Sequence, residues 1–417
     1  MRIIIWHGYL LGGTGSNVYT RSLARTWSLQ GHEVVVVCQE PQPNGYDLGG
    51  ARVVRPPLDG PLPVFVLDAY EDMTAVALPD MAHADRDRFV EVNAQAIRAE
   101  LPAGLLLCNH VLLGGPVGAS TGMPFVVKAH GSELEYAMRG NAELCRWARD
   151  TLAPASAVIA GSEHIVTVLA DVVGDQLPPV HVVPPGVDIE ALRPLDRETA
   201  LKALVEECQH DAPNPVESHD ERRPDQGNAD RLAAFLAEDA PTVLYVGKIS
   251  QEKGVPLLLE ALETIDARAV IVGFGPERAR LEDGAGDRVL FTGPLEHRHL
   301  AYLWPLADVA VTPSIFPEAF GMVAAEAAAC GCPPLVADHS GLAEIAAQLQ
   351  QAYPPQHRHL TAFASGDIDD LRDKLAELLA LPRAQWQALS EAARRTAVDA
   401  WSWESVADRI VAAALPQ

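Results

Sequence analysis

The stretch MRIIIWHGYLLGGTGSNVYTRSLARTWSLQGHEVVVVC (residues 1–38) decides the fold. RIIIW is a short apolar run that ends at His7 and Gly8. In the segment after it, Val18, Leu23, Trp27 and Leu29 give a roughly helical apolar face, and Gly31 supplies a stop. HEVVVVC then reads as a buried strand. Strand, glycine loop, helix and strand make the opening βαβ unit of a doubly wound parallel sheet.

Outward from there the scheme repeats. GLLLCNH, PFVVKAHG and AVIAGS read as further buried strands, and VHVVPPGVD (180–188) closes the first half on a strand broken by Pro184, Pro185 and Gly186. TVLYVG starts again, followed by RAVIVGFG, VLFTG, VAVTPS and CPPLVAD. A chain of 417 residues exceeds one ordinary core. The expectation is therefore an α/β protein of two Rossmann-like domains: residues 1–188 with a terminal helix at 400–417, a linker at 189–240, and residues 241–399. Residues 205–240 are polar, acidic and interrupted by proline, which predicts an exposed, mobile insertion near the boundary.

Composition narrows the function. A formal net charge of −24 argues against nucleic acid and against docking on anionic lipid. The six cysteines are scattered, so no disulfide framework is expected, and the Cys330-x-Cys332 pair lacks partners at zinc-site spacing. No apolar run is long enough to span a bilayer and the N-terminal run is too soon broken for a signal peptide. The expected setting is cytoplasmic, reducing and soluble, with homo-oligomerisation left open.

Three stretches carry chemistry. GGTGSN (12–17) lies between strand and helix, where backbone N–H groups and the helix dipole favour an anion. Its spacing is not GxGxxG, so a dinucleotide oxidoreductase is disfavoured. VGKISQEKG (246–254) places Lys248 and Lys253 on a loop at a strand's C-terminal end, able to neutralise a diphosphate. SIFPEAFGMVAAEAAACGCPPLVA (314–337) starts a helix near Phe320 or Gly321, with Gly321, Met322 and Val323 offering N–H groups to phosphate. Glu318 and Glu326 would repel a phosphate but would accept hydrogen bonds from sugar hydroxyls. One ligand satisfies every group: a nucleoside-diphosphate sugar.

EAFGMVAAE (318–326) resembles the Glu-x7-Glu signature of the retaining GT-B-fold glycosyltransferases of family 4. In order along the chain, GGTG, KAHGSE (128–133), VPPGVD (183–188), YVGKISQEKGVPLLLEAL, IVGFGPERARLE and WSWESVADRI are similar to that family's other motifs. The resemblance implies two Rossmann-like domains facing a central cleft, with the terminal helix crossing back to the first. It implies an acceptor domain first and a donor domain second. Glu318 would contact the donor sugar and Glu326 the ribose. Lys248 and Lys253 would hold the diphosphate, with Gly13 and Gly15 approaching it from the first domain. His130 would face the sugar near its reacting carbon. Phe320 would lie beside the donor, and Gly293, Pro294 and Leu295 would read the base. Departures are Lys248 where the family usually has Arg, Pro185 for a common Asn, Phe274 for a small or acidic residue, and the acidic insertion.

The implied reaction is transfer of a sugar to a hydroxyl with retention, with no obligatory metal or other cofactor. The string DIDD (367–370) opens a helix and needs no metal to explain it. A catalytically silent sugar-nucleotide-binding relative and a different reaction on the same fold, such as a phosphorylase or the coupling of non-sugar units to a non-standard acceptor, are the competing readings. The acceptor is expected near Ser16, Asn17, His110 and the stretch 56–102. That stretch offers no basic amphipathic face for lipid, which favours a soluble small molecule or saccharide; its acidity would also suit a cationic acceptor.

Overall fold

The computed structural model describes residues 1–58, 60–65 and 73–414. The chain divides into two compact units, Met1–Gly186 with Trp403–Gln417, and Val187–Ser402.

The first unit is built on seven parallel strands: β1 (Arg2–Trp6), β2 (Glu33–Val37), β3 (Arg52–Val54), β4 (Leu105–Asn109), β5 (Val126–Lys128), β6 (Ala157–Ala160) and β7 (Val180–Val182). Their order is β3-β2-β1-β4-β5-β6-β7. The register sets Ile3 opposite both Val34 and Leu105. Both faces are buried, which is why these strands read as unbroken apolar runs. Ile4, Trp6, Val35 and Val37 face one core, and Ile3, Ile5, Val34 and Val36 face the other. The second core also takes Tyr19, Leu23 and Trp27 of the helix Gly15–Leu29 and Val406, Ala407 and Ile410 of the helix Trp403–Ala414. The expected terminal helix thus belongs to the first unit; of the stretch 400–417, residues 415–417 lie outside the described residues.

The second unit repeats the plan with six parallel strands: β8 (Thr242–Val246), β9 (Arg268–Val272), β10 (Val289–Phe291), β11 (Val309–Thr312), β12 (Pro334–Ala337) and β13 (Ala362–Phe363), in the order β10-β9-β8-β11-β12-β13. In both sheets the first strand sits beside the fourth. The chain reverses direction of growth there, and the strand ends at that switch point are where α/β sheets bind ligands.

The structure differs from the sequence-based expectation between 189 and 240. The stretch holds the helices Arg197–Gln209 and Asn228–Phe235, and Leu204, Cys208, Leu232 and Leu236 are buried in the second unit's core. Most of its acidic residues are exposed, and the nearly buried Asp211 and Asp225 are ion-paired to Arg298 and Arg278, so a low apolar content still suffices for two docked helices. The unit boundaries are Gly186/Val187 and Ser402/Trp403, and 189–240 is part of the second unit rather than a separate linker. At the second boundary Ser402 forms a parallel bridge with Val187. The two tryptophans around it are both buried, Trp401 against Phe320 and Trp403 against Tyr19, each in the core of its own unit.

Candidate active site

In the second unit, the loop after β8 carries both lysines. Gly254, at φ 71°, caps the helix Val255–Leu262, and a Cβ there would lie 1.9 Å from the Pro313 carbonyl oxygen. That close approach seats the lysine loop against the loop leading to Glu318. Lys253 Nζ lies 2.5 Å from Glu318 Oε1, with both side chains about a quarter exposed. Lys248 is exposed and accepts the Tyr245 hydroxyl on its carbonyl at 2.7 Å.

The helix Met322–Ala329 begins at Gly321, whose φ of 124° would strain any side chain and whose Cβ would crowd Leu342 Cδ2 at 2.7 Å. Its first turn has no acidic residue and Gly321 cannot cap it, so the N–H groups of Met322 and Val323 stand at an uncapped, partly exposed N-terminus. The remainder is alanine buried on all sides, and Phe320 is buried before it. Glu326 is the helix's one charged group, 6% exposed, with His297 Nε2 3.2 Å from its Oε1. A carboxylate buried in an alanine helix is costly unless it has partners, which an exposed-helix reading of Glu326 would not require.

Gly293 stands at φ 69° just past β10, with Pro294 and Leu295 half-buried beyond it. The stretch 205–240, expected as a mobile insertion, reaches this point: a Cβ on Gly293 would meet Asp225 Oδ1 at 2.7 Å and the Arg223 carbonyl at 3.0 Å. The Asp225 N–H and Asn228 Nδ2 both donate to the Thr292 carbonyl, at 3.0 and 2.8 Å, so the segment covers the edge of β10. Arg278 Nη1 holds Asp225 Oδ1 at 3.0 Å. Burial raises Asp225, but Arg278 and Arg231 outweigh it and hold the carboxyl below its usual range.

In the first unit, Gly13 and Gly15 are exposed with open space around their Cα atoms, and Gly13 adopts φ 91°. Glu40 ties this loop down by accepting from Leu11 N at 3.1 Å and Gln42 N at 3.0 Å. Ser16 is half-buried. Asn17 is buried: its Oδ1 accepts from His7 Nε2 at 2.7 Å and its Nδ2 donates to the Gly12 carbonyl. His110 is also buried, at a left-handed φ of 68°. The structure therefore gives Asn17 and His110 internal partners, where the sequence suggested groups open to an acceptor. His130 is the half-exposed member of this group, with Nε2 2.7 Å from Asn109 Oδ1.

Glu133 organises the cluster. Fully buried, it accepts from His110 Nδ1 at 3.3 Å, Val111 N at 3.2 Å and His130 N at 3.0 Å. Burial pushes its carboxyl up, and these partners outweigh that and bring it below the usual range. Burial and the neighbouring His110 lower His7 to about 3, and burial, His110 and Lys128 hold His130 well below the ordinary value. Burial also lowers Lys128 to about 7. The imidazoles His7 and His130 are thus neutral at neutral pH. His7, Asn109, Lys128, Glu133, His297 and Asp225 were not singled out as site residues from the sequence. KAHGSE contained two of them, but nothing local says that Glu133 reaches His110.

Among the described residues one trio offers metal-type ligands, Cys208, Asp211 and His299. His299 and one oxygen of Asp211 are engaged with each other: His299 Nδ1 accepts the Glu296 N–H at 3.1 Å, which puts the ring proton on Nε2, facing Asp211 Oδ1 at 3.0 Å. Arg298 bonds the same Asp211 oxygen. The trio is thus an ion-paired clasp in which Asp211 Oδ2 is buried without a hydrogen-bond partner. A cavity of about 840 Å³ lined by Arg55, Pro57, Leu58, Met73 and Thr74 opens in the stretch expected to meet the acceptor. Residues 59 and 66–72 of that stretch lie outside the described residues. No helix among the described residues is long and apolar enough to cross a membrane.

Residues 13–191 match the family model described as Glycosyltransferase Family 4, and residues 228–396 match that described as Glycosyl transferases group 1. The D-inositol 3-phosphate glycosyltransferase of Xylanimonas cellulosilytica is 32% identical over 205 residues, 46% of this chain and 43% of that protein. Its counterpart from Mycobacteroides abscessus is 27% identical over 334 residues, 73% of this chain and 64% of that protein. The match thus spans less than two thirds of the length of these curated relatives. Among solved structures, sucrose-phosphate synthase from Thermosynechococcus elongatus superposes with a TM-score of 0.67 at 22% identity, covering 98% of this chain and 97% of that one. Anabaena HepE in complex with UDP gives 0.68 at 17% identity, covering 98% of each. These two likenesses carry the fold. Two glycosyltransferase family models thus match in order along the two units, and the GT-B fold is shared with the solved structures over nearly the whole length of the chain.

Proposed function

We propose that this protein transfers a sugar from a nucleoside-diphosphate sugar to a hydroxyl of a soluble small molecule or saccharide, with retention at the anomeric carbon. The observation that carries this reading is the Lys253–Glu318 pair beside the uncapped helix N-terminus, with Glu326 buried behind it. Cations and N–H groups suit the diphosphate, and the two carboxylates suit sugar hydroxyls.

As the bond from the anomeric carbon to the phosphate oxygen breaks, its electron pair goes to the departing diphosphate. Lys248, Lys253 and the N–H groups of Gly321, Met322 and Val323 stabilise that charge. Glu318 leaves Lys253 for the donor-sugar hydroxyls when the diphosphate takes the lysine, and Glu326 leaves His297 for the ribose. Gly293, Pro294 and Leu295 read the base, and Phe320 packs beside the donor. The acceptor oxygen bonds the anomeric carbon and its proton passes to the leaving phosphate. No side chain is then needed as nucleophile, and no metal is needed where lysines neutralise the charge. Ser16 and the cavity near Arg55 belong to the acceptor side. We assign the protein to the cytoplasm.

The relatives named for D-inositol 3-phosphate support a small polyol acceptor. The test is incubation with nucleotide sugars and a panel of polyols, their phosphates and saccharides, followed by NMR of the product's anomeric proton. Retained configuration in a new glycoside is expected. An inverted product would overturn the retaining mechanism, and nucleotide binding without any transfer or donor hydrolysis would overturn the catalytic reading.

A further inference from the structure

One turn, His339–Gly341, holds the main chain of Glu318 from both sides. The Glu318 N–H donates to Ser340 Oγ at 2.9 Å, and the Glu318 carbonyl accepts the Gly341 N–H at 2.9 Å. His339 extends the contact. Its Nε2 lies 2.6 Å from the Ser314 carbonyl oxygen, which can only accept, so Nε2 carries a proton. In the neutral ring Nδ1 is then a lone pair, and it lies 3.0 Å from Ser340 Oγ, whose hydroxyl proton it takes. The bonds run in one direction, from Glu318 N–H to the Ser340 hydroxyl to His339, and from His339 Nε2 to the Ser314 carbonyl. They tie both ends of the segment 314–318 to one turn.

Ser340 does this at φ 49°, in the left-handed region where a glycine would sit without strain. The next residue is a glycine for which a Cβ would lie 2.5 Å from Phe320 Cα, so the turn presses on the backbone of residues 319–320 directly. A strained serine whose hydroxyl is both donor and acceptor, placed against the backbone of Glu318, points to a task for that hydroxyl.

We propose that Ser340 and His339 are positioning residues for the Glu318 carboxylate. They fix the main chain from which Glu318 reaches Lys253 and, on the donor-site reading above, on which this inference rests, the hydroxyls of the donor sugar. They touch neither the sugar nor the diphosphate. Loss of the hydroxyl should therefore misalign the sugar while leaving the grip on the nucleotide, which depends on the lysines and the helix N-terminus.

The test compares Ser340→Gly, which removes hydroxyl and strain together, with Ser340→Ala, which removes the hydroxyl and keeps the strain; His339→Phe removes the far end of the chain. Melting temperature, affinity for UDP, GDP, ADP and TDP, and kcat and KM for hydrolysis of the four corresponding glucose esters are measured for each. The expected result is a kcat lower by about ten-fold or more in all three variants, an unchanged affinity for the free diphosphates, and a Ser340→Gly melting temperature at or above wild type. A Ser340→Gly variant with wild-type kcat, or activities that simply follow melting temperature across the set, would overturn the positioning role alone. A wild type that neither binds nor hydrolyses any of the esters overturns the donor-site reading, and this inference with it.

Discussion

The same strand-order switch point is furnished in opposite ways in the two units. In the second unit it is charged and half-open: Lys253 against Glu318, Lys248 exposed, and Glu326 reachable through His297. In the first unit it is packed and internally paired: His7 and His130 are unprotonated beside a buried, ionised Glu133, with only His130 and the glycine loop partly open. One fold thus supports two chemistries. Removable ion pairs suit a ligand that brings its own charge and displaces one partner. A tightly bonded cluster whose one carboxylate is already satisfied internally suits the recognition of hydroxyls by its neutral imidazoles and resists charged ligands, since a further charge near it would lack solvent to stabilise it.

The sharpest way to break the comparison is at Lys253. Lys253→Ala should lower turnover of a nucleotide sugar by about 100-fold or more, because a cation aimed at the leaving diphosphate is lost. Its effect on stability should stay within about 1 kcal/mol, since the pair with Glu318 is partly solvated. Steady-state kinetics and denaturant melts together check both parts. The reverse pattern is expected in the first unit. Glu133→Ala strips buried His110 and the N–H groups of Val111 and His130 of their acceptor, and should cost about 3 kcal/mol in a urea melt.

Acid separates the units further. The folded value of His7 is depressed from 6.5 to about 3, so the unfolded chain binds a proton that the folded one refuses. Its contribution is complete above pH 6.5 and is lost as pH falls from there towards 3, amounting to about 2 kcal/mol by pH 5. His130 adds in the same direction. Hydrogen exchange at pH 5 should therefore show β1, β4 and β5 losing protection before β8, β9 and β11. The smallest effect is expected at Asp225. Asp225→Asn weakens its pairing with Arg278 and should cost about 1 kcal/mol, read as a fall in melting temperature.

What was legible beforehand follows from locality. GLLLCNH and TVLYVG were readable as strands because a parallel sheet buries both faces, and EAFGMVAAE was readable because its two carboxylates lie one short helix apart. The buried state of Glu326 was also foreshadowed by the alanines around it. The stretch 189–240 was misjudged because its acidic composition hid two i, i+4 apolar pairs, Leu204 with Cys208 and Leu232 with Leu236. Ser340, His339 and Asp225 were beyond local reasoning. Each matters through a residue at least twenty positions away, Glu318, Ser314 and Gly293 respectively, and only the folded sheet brings them together. His110 and Asn17, expected on the acceptor side, are buried with Glu133 and His7 as partners, which no local stretch of sequence signals.

The most direct measurement is calorimetric titration of wild type, Lys253→Ala and Glu326→Ala with UDP, GDP, ADP and TDP. The account predicts that one diphosphate binds wild type, that Lys253→Ala loses affinity with a reduced salt dependence, and that Glu326→Ala loses affinity with the salt dependence unchanged. Equal affinities in all three proteins would place the nucleotide elsewhere and contradict the central claim that the charged end of the second unit is the donor site.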